Sequence, residues 1–330
     1  MIELAEIEAA RERIADVAVR TPLVRLHLPA DELEIHCKLE TLQPIGSFKL
    51  RGATNAVRGT DPDAYAAGLL TASAGNMAQG VAWVARELGL PATIAVPEHA
   101  PRAKLDAIAD LGGRVIKLPY DEWWQVIVTG RIEGQAGYFI HPVDDELVMA
   151  GNGTIGLEIL EDLPDVDAVV IPVGGGGLAT GIASAIRARR PQTRIVTVEP
   201  ETGAALRAAI AADQPTQVDY TVSFVDGSGS RRVLDPMWPR LKPLVDEAVA
   251  VSIPQAAEAV RTLATRLRVV AEGAGALAPA AAIAGLAGTG RIACVISGGN
   301  IDVSTLTGIL AGPSPEEASA TGRSHEQASA

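Results

Sequence analysis

The chain has 330 residues, 48% of them hydrophobic, and a formal net charge of −12. That length and apolar content suffice for one large or two modest domains, and the acidic surplus argues against nucleic acid and anionic membrane as partners. No apolar run reaches the ~18 residues that a membrane-spanning helix needs, and the acidic start Met1-Ile2-Glu3-Leu4-Ala5-Glu6 is unlike a signal peptide.

The first informative run is the strand-like Ile35 to Glu40, which Pro44 and Gly46 break before a helix begins. Leu50, Ala53 and Val57 give that helix its apolar spacing, and Ser47 is the expected N-cap. Lys49 then lies near the first turn, where the positive end of the helix dipole opposes its charge and lowers its pKa. A partly neutral amine suits a Schiff-base nucleophile, although a solvated lysine on an exposed helix fits this segment as well. Further on, Thr71-Ala72-Ser73-Ala74-Gly75-Asn76-Met77-Ala78-Gln79-Gly80 joins an apolar run to a helix reaching Leu88. Its small residues and helix start suit a carboxylate, and Asn76 has the reach for a phenolic oxygen; an ordinary strand-to-helix turn is the alternative.

Strands are predicted at Leu69–Ser73, Ala92–Pro97, Arg114–Leu118 and Tyr138–Ile140, with helices between them, which describes a parallel α/β unit. A second set follows at Ala168–Val173, Arg194–Glu199, Ala248–Ser252 and Arg291–Ser297. Its first strand runs into Gly174-Gly175-Gly176-Gly177-Leu178-Ala179, a run of unhindered N–H groups able to cradle a phosphate. The same residues satisfy a dinucleotide fingerprint, with Glu199 about 20 residues on, so a nicotinamide-dependent dehydrogenase competes. That reading leaves Lys49 and the Ser73–Asn76 loop without a task. A single-phosphate cofactor carrying an aldehyde uses all three. Cys37 and Cys294 lie isolated in apolar runs, which fits reduced buried thiols in a cytoplasmic protein. Neither they nor His27, His36, His99, His141 and His325 has metal-ligand spacing, so no metal is predicted.

Taken together, Gly46-Ser47-Phe48-Lys49-Leu50-Arg51-Gly52-Ala53, the Ser73–Gly80 loop and the tetraglycine loop resemble the fold-type II pyridoxal-phosphate enzymes. The match is closest to their serine/threonine dehydratase branch. Met149-Ala150-Gly151-Asn152-Gly153-Thr154-Ile155-Gly156-Leu157-Glu158, Val270-Ala271-Glu272-Gly273-Ala274-Gly275-Ala276 and Ser297-Gly298-Gly299-Asn300 agree in order, from about Ile14 to about Leu310. The resemblance implies an α/β fold of the tryptophan synthase β type, with two open twisted lobes and pyridoxal 5'-phosphate in the cleft. The lobes are expected at 1–50 with 145–312 (large) and at 51–144 (small, inserted). The tail 313–330, rich in Ser, Glu and Ala, is expected to be disordered.

By the same resemblance Lys49 forms the Schiff base with the cofactor and removes the substrate Cα proton, with Phe48 beside the cofactor. Gly174, Gly175, Gly176, Gly177 and Leu178 hold its phosphate, Asn76 its ring hydroxyl, and Ser297 its pyridine nitrogen. Ser73, Ala74, Gly75, Asn76 and Met77 carry the substrate carboxylate. A hydroxyl at the ring nitrogen cannot keep it a pyridinium, so prompt loss of a β-leaving group is favoured over a long-lived carbanion. The implied activity is β-elimination from a β-hydroxy amino acid, L-threonine or L-serine first, in a cytoplasmic homodimer. Larger or acidic 3-hydroxy amino acids, β-replacement and a non-catalytic cofactor-binding role are the alternatives.

Departures from the family pattern are informative. Met77 stands where dehydratases carry histidine, which means either an altered substrate preference or a neutral change. Ala74 replaces the serine that racemases use as an acid, and Ala205 replaces the aspartate that pairs with the Glu199 position in their divalent-cation site. Asn152 shortens the usual glutamine. Arg231 and Arg232 are either acceptors for a second substrate carboxylate or solvated at a helix start. Trp123, Trp124 and Trp238 are either a pocket wall or packing. Gly273–Ala276 is expected to pack near the cofactor ring.

Overall fold

Long apolar runs bounded by glycine become buried strands here, and the computed structural model describes residues 1–28, 33–100 and 102–312. The expected disordered tail, 313–330, lies outside the described residues. In chain order the elements are α1 (Leu4–Ile14), β1 (Leu23–Leu26), β2 (Glu34–Leu39), α2 (Lys49–Arg58), α3 (Pro62–Tyr65), β3 (Leu69–Ala72), α4 (Asn76–Glu87) and β4 (Ala92–Pro97). Next come α5 (Arg102–Asp110), β5 (Arg114–Leu118), α6 (Tyr120–Thr129), β6 (Tyr138–Phe139), α7 (Glu146–Asp162), β7 (Ala168–Pro172), α8 (Gly177–Arg189) and β8 (Arg194–Pro200). The chain continues through α9 (Ala205–Ala212), α10 (Trp238–Leu241), β9 (Glu247–Val251), α11 (Ile253–Thr262), α12 (Gly273–Ile283), β10 (Arg291–Ile296) and α13 (Val303–Ala311).

Two sheets result, one in the order β1-β2-β10-β7-β8-β9 and the other β5-β4-β3-β6. Every pairing is parallel except β1 with β2. Parallel strands covered on both faces need apolar side chains throughout, and β7 (Ala-Val-Val-Ile-Pro) is buried at all five positions. The strand missing from the sequence prediction is β1. It has only four residues, is mostly half-buried, and runs antiparallel at a sheet edge, so its apolar signal is weak.

Against the six-stranded sheet, α7 and α8 meet backbone to backbone. A β-carbon added at Gly181 would overlap the Met149 carbonyl oxygen, and one at Gly156 would lie 2.8 Å from the Ile182 oxygen. Helix α2 is fixed differently, by a buried charge cluster. The Arg51 guanidinium, 1% exposed, donates from Nε to Glu40 Oε2 at 2.8 Å and from Nη1 to Glu158 Oε1 at 2.6 Å. Its Nη2 reaches Glu40 Oε1, Glu158 Oε2 and the Val19 carbonyl oxygen. Lys38 Nζ lies 2.6 Å from Glu158 Oε2, and the Thr21 hydroxyl donates to Glu40. Two cations thus face two carboxylates across β2, α2 and α7. Burial alone pushes the Glu40 carboxyl up, but Arg51, Thr21 and Lys38 together outweigh it and the net shift is downward.

The start of α2 differs from expectation. Phe48, not Ser47, is the N-cap residue, and no side chain caps the helix. Ser47 instead forms an antiparallel bridge with Gly298, and the Phe48 N–H donates to the Ser297 carbonyl oxygen at 3.0 Å. The loop after β10 therefore takes the backbone that local capping would have used.

Replacing Arg51 with leucine leaves Glu40 and Glu158 buried with half their compensation gone. The expected loss is ~3–5 kcal/mol of unfolding free energy, read from urea denaturation. A loss below ~1 kcal/mol would show that the cluster does not hold α2 in place.

Candidate active site

The C-terminal ends of β3, β7 and β10 empty into one cavity of about 590 Å³, where parallel α/β sheets commonly place ligands. Phe48, Lys49, Ser73, Ala74, Gly75, Asn76, Met77, Gly174, Gly175, Gly176, Gly177, Leu178 and Ser297 all line it. The sequence-predicted residues are therefore brought together from four separate parts of the chain.

Lys49 opens α2 and donates from Nζ to the Pro142 carbonyl oxygen at 3.0 Å. Burial draws its pKa down to about 8, against the Glu272 carboxylate, which holds it up. Loss of hydration, rather than the helix dipole expected from sequence, leads this shift. His141 fixes the carbonyl that Lys49 uses. Its Nδ1 accepts from the Val143 and Asp144 N–H groups at 3.0 and 2.8 Å, so its proton is assigned to Nε2, which donates to the Ile127 oxygen at 3.0 Å.

In the Ser73–Met77 turn the Gly75 N–H donates to Ser73 Oγ at 3.1 Å. Gly75 is also the N-cap of α4, which has no side-chain cap, and a β-carbon there would meet nothing within 4 Å. The turn thus offers open N–H groups to an anion. Met77 lines the cavity yet is 1% exposed, packed in the core that holds Leu50 and Val81. Its thioether lies among largely apolar neighbours.

Asn76 is gripped on both sides. Its Nδ2 donates to Glu272 Oε1 at 2.8 Å, and its Oδ1 accepts from Asn300 Nδ2 at 2.7 Å. Glu272 is the functional candidate that sequence reasoning missed. It lines the cavity, is 7% exposed, and burial raises its carboxyl to about 7, helped by Asp226. The available signal was a single acid within the small apolar run Val270–Ala276. Gly273 and Gly275 do pack tightly, since a β-carbon at Gly275 would overlap the Gly298 carbonyl oxygen.

On the opposite side, the tetraglycine loop leads into α8 through Gly176, whose φ of 96° suits only glycine. A β-carbon at Gly175 would overlap the Val143 side chain. The helix start has neither a side-chain cap nor an acid in its first turn, so its N–H groups suit a phosphate. A buried amine of lowered pKa at one point and this cradle at another fit pyridoxal phosphate, which needs an amine for its aldehyde and donors for its dianion.

Other sequence candidates fall elsewhere. Arg232 lines the cavity but pairs with Asp235 at 2.7 Å, whereas Arg231 is exposed and does not line it. Trp123 and Trp124 line the cavity; Trp238 packs on the core of the large sheet. Glu199 accepts N–H groups of Leu206 and Arg207 at the start of α9, and Asn152 lies buried in α7. Among the described residues, no His, Cys, Asp and Glu group has the makings of a metal site.

A buried lysine amine and a glycine-rich helix start that share one cavity at the ends of largely parallel strands are features of the pyridoxal-phosphate enzymes of fold type II. The family model for pyridoxal-phosphate-dependent enzymes matches residues 14–298, and the chain belongs to that family. It is 40% identical over 317 residues to an L-threonine ammonia-lyase of Geobacter sulfurreducens, covering 94% of this chain and 78% of that one. Among solved structures, maize serine racemase superposes with a TM-score of 0.85 at 30% identity, covering 93% of this chain and 96% of that one. Threonine deaminase isoform 2 of Solanum lycopersicum gives 0.84 at 33% identity, covering 94% and 92%.

A pH test follows from the Lys49–Glu272 interaction. The neutral amine is the form that reacts with the cofactor aldehyde, so recombination of apoprotein with pyridoxal phosphate should accelerate through pH about 8. The Glu272 carboxylate favours the charged amine, so Glu272→Gln should move that midpoint downward. The visible absorbance growing in with time gives the rate, and an unmoved or raised midpoint would remove Glu272 from this role.

Proposed function

We propose that this chain is a pyridoxal-phosphate-dependent ammonia-lyase acting on L-threonine or L-serine, giving a 2-oxo acid and ammonia. The observation that carries this reading is the placing of the Lys49 amine in one cavity with the uncapped Ser73–Met77 turn. When bound, pyridoxal phosphate supplies a carbonyl carbon for the substrate amine and a conjugated ring that accepts the Cα–H electron pair.

The chain's own groups do the rest. The N–H groups of α8 and the preceding glycines bind the phosphate, and Asn76, fixed by Glu272 and Asn300, presents its amide to the ring. The Ser73–Met77 turn binds the substrate carboxylate and so sets the direction of the Cα–H bond. Lys49 Nζ takes the Cα proton and returns a proton to the departing β-hydroxyl, which leaves as water. Its pKa of about 8 keeps part of it neutral near physiological pH. Ser297 directly follows β10 at the cavity and offers a neutral hydroxyl to the ring nitrogen. Ala74 leaves no hydroxyl at that position for an acid on the opposite face, which favours elimination over racemisation.

The lobes we assign are 1–50 with 145–312, and 51–144; the strands of the four-stranded sheet fall within 69–139, which supports this division. A homodimer in the cytoplasm is part of the same reading. Cys37 and Cys294 are free and buried, as a reducing compartment favours.

Purified protein should release 2-oxo acid and ammonia in equal amounts from L-threonine or L-serine. Lys49→Ala should lose ~10²–10⁴-fold in kcat together with the cofactor's visible band. Binding of either amino acid without release of any 2-oxo acid would overturn the lyase reading and point to β-replacement. If Met77 sets substrate preference, Met77→His should change the threonine-to-serine ratio of kcat/KM; an unchanged ratio would make the substitution neutral.

A further inference from the structure

Helix α6 carries Tyr120, Trp123, Trp124 and Ile127 at positions i, i+3, i+4 and i+7, the spacing of a single helical face. Trp123, Trp124 and Ile127 of this face line the cavity that holds Lys49. The wall is fixed at several points. Trp123 Nε1 donates to the Ala95 carbonyl oxygen at 3.2 Å, and its ring lies 6.3 Å from that of Trp124. Ile127, 5% exposed, packs with Leu70 and Ala72, the strand that runs into the carboxylate turn. The Ile127 carbonyl oxygen accepts from His141, and the next residue, Pro142, accepts from Lys49. The aromatic face and the amine are therefore anchored to adjacent residues of one segment.

Trp124 differs from its neighbours in remaining 38% exposed while it lines the cavity. Such a ring gains by being covered with apolar surface. The cations nearby each already have a carboxylate partner. Lys104 is paired with Asp226, and Arg232 with Asp235.

We propose that Trp124, with Trp123 and Ile127, seats the β-substituent of the substrate, so that the chain also takes 3-hydroxy amino acids bearing an aryl or large alkyl group. The inference rests on the lyase reading. For an aryl substrate the bonds exchanged are those of that reading. The Cα–H proton goes to Lys49, the β-carbon loses its hydroxyl as water, and water added afterwards frees ammonia. The products are an aryl 2-oxo acid and ammonia, with no oxidant or reductant required.

The test separates binding from turnover by using holoenzyme and amino acids that lack a β-hydroxyl. L-phenylalanine and L-alanine are titrated by their effect on the cofactor's absorption, and L-threo-3-phenylserine and L-serine are assayed for 2-oxo acid. Phenylalanine should bind at least ~10-fold more tightly than alanine, as apolar pockets discriminate. Trp124→Ala should lower both that ratio and the phenylserine-to-serine ratio of kcat/KM by ~10-fold, and Trp124→Phe should restore most of each. Equal binding of phenylalanine and alanine, or ratios that ignore Trp124→Ala, would overturn the seat. Preferential binding of phenylalanine with no 2-oxo acid from phenylserine, serine or L-threonine assayed alongside them would support the seat while rejecting the lyase reading.

Discussion

Two residues apart on one helix, Arg51 and Lys49 face opposite demands, and the first makes the second possible. An amine attacks an aldehyde in its neutral form, and burial favours that form by opposing the charge. The α2 helix start has no side-chain cap to anchor it. Anchoring comes instead from the Arg51 guanidinium, which is bound to Glu40 at the end of β2 and to Glu158 in α7. A neutral cluster of Lys38, Arg51, Glu40 and Glu158 satisfies its own charges internally, so it adds rigidity without placing net charge under the site. On that support, Lys49 reaches the Pro142 carbonyl oxygen.

The remainder of the site follows from where parallel strands end. β3, β7 and β10 each release a loop into the same space. The turn after β3 and the glycines after β7 each lead into a helix start with no side-chain cap, which suits them to the carboxylate and the phosphate of the proposed reading, and the loop after β10 bridges Ser47 through Gly298. Side-chain chemistry is confined to a few positions. Glu272 both holds Asn76 by a hydrogen bond and, as a carboxylate, opposes the burial that lowers the Lys49 pKa.

The structure brings the contiguous loops that the sequence singled out to one cavity, and each was legible because it is built from neighbours in the chain. The strands from Ala92 to Pro97 and from Arg114 to Leu118 have the predicted bounds, since their apolar runs are clear. What escaped is whatever depends on distant residues. Glu272 meets Asn76 across 196 positions, and Arg51 meets Glu158 across 107, spacings that carry no local pattern. Ser47 looked like a cap because capping is local, but pairing with Gly298 is not. The lowered pKa of Lys49 was anticipated in direction and misattributed in cause, because burial is a property of the fold. His141 carried no recognisable spacing, yet it braces the segment to which both Lys49 and α6 are tied.

The most direct measurement is the location of the covalent link. Holoenzyme reduced with borohydride and digested should carry the pyridoxyl group on the peptide containing Lys49 and on no other lysine peptide. A label on Lys38, Lys104, Lys117 or Lys242, or none at all in protein that retains its visible band, would contradict the account built on the buried amine.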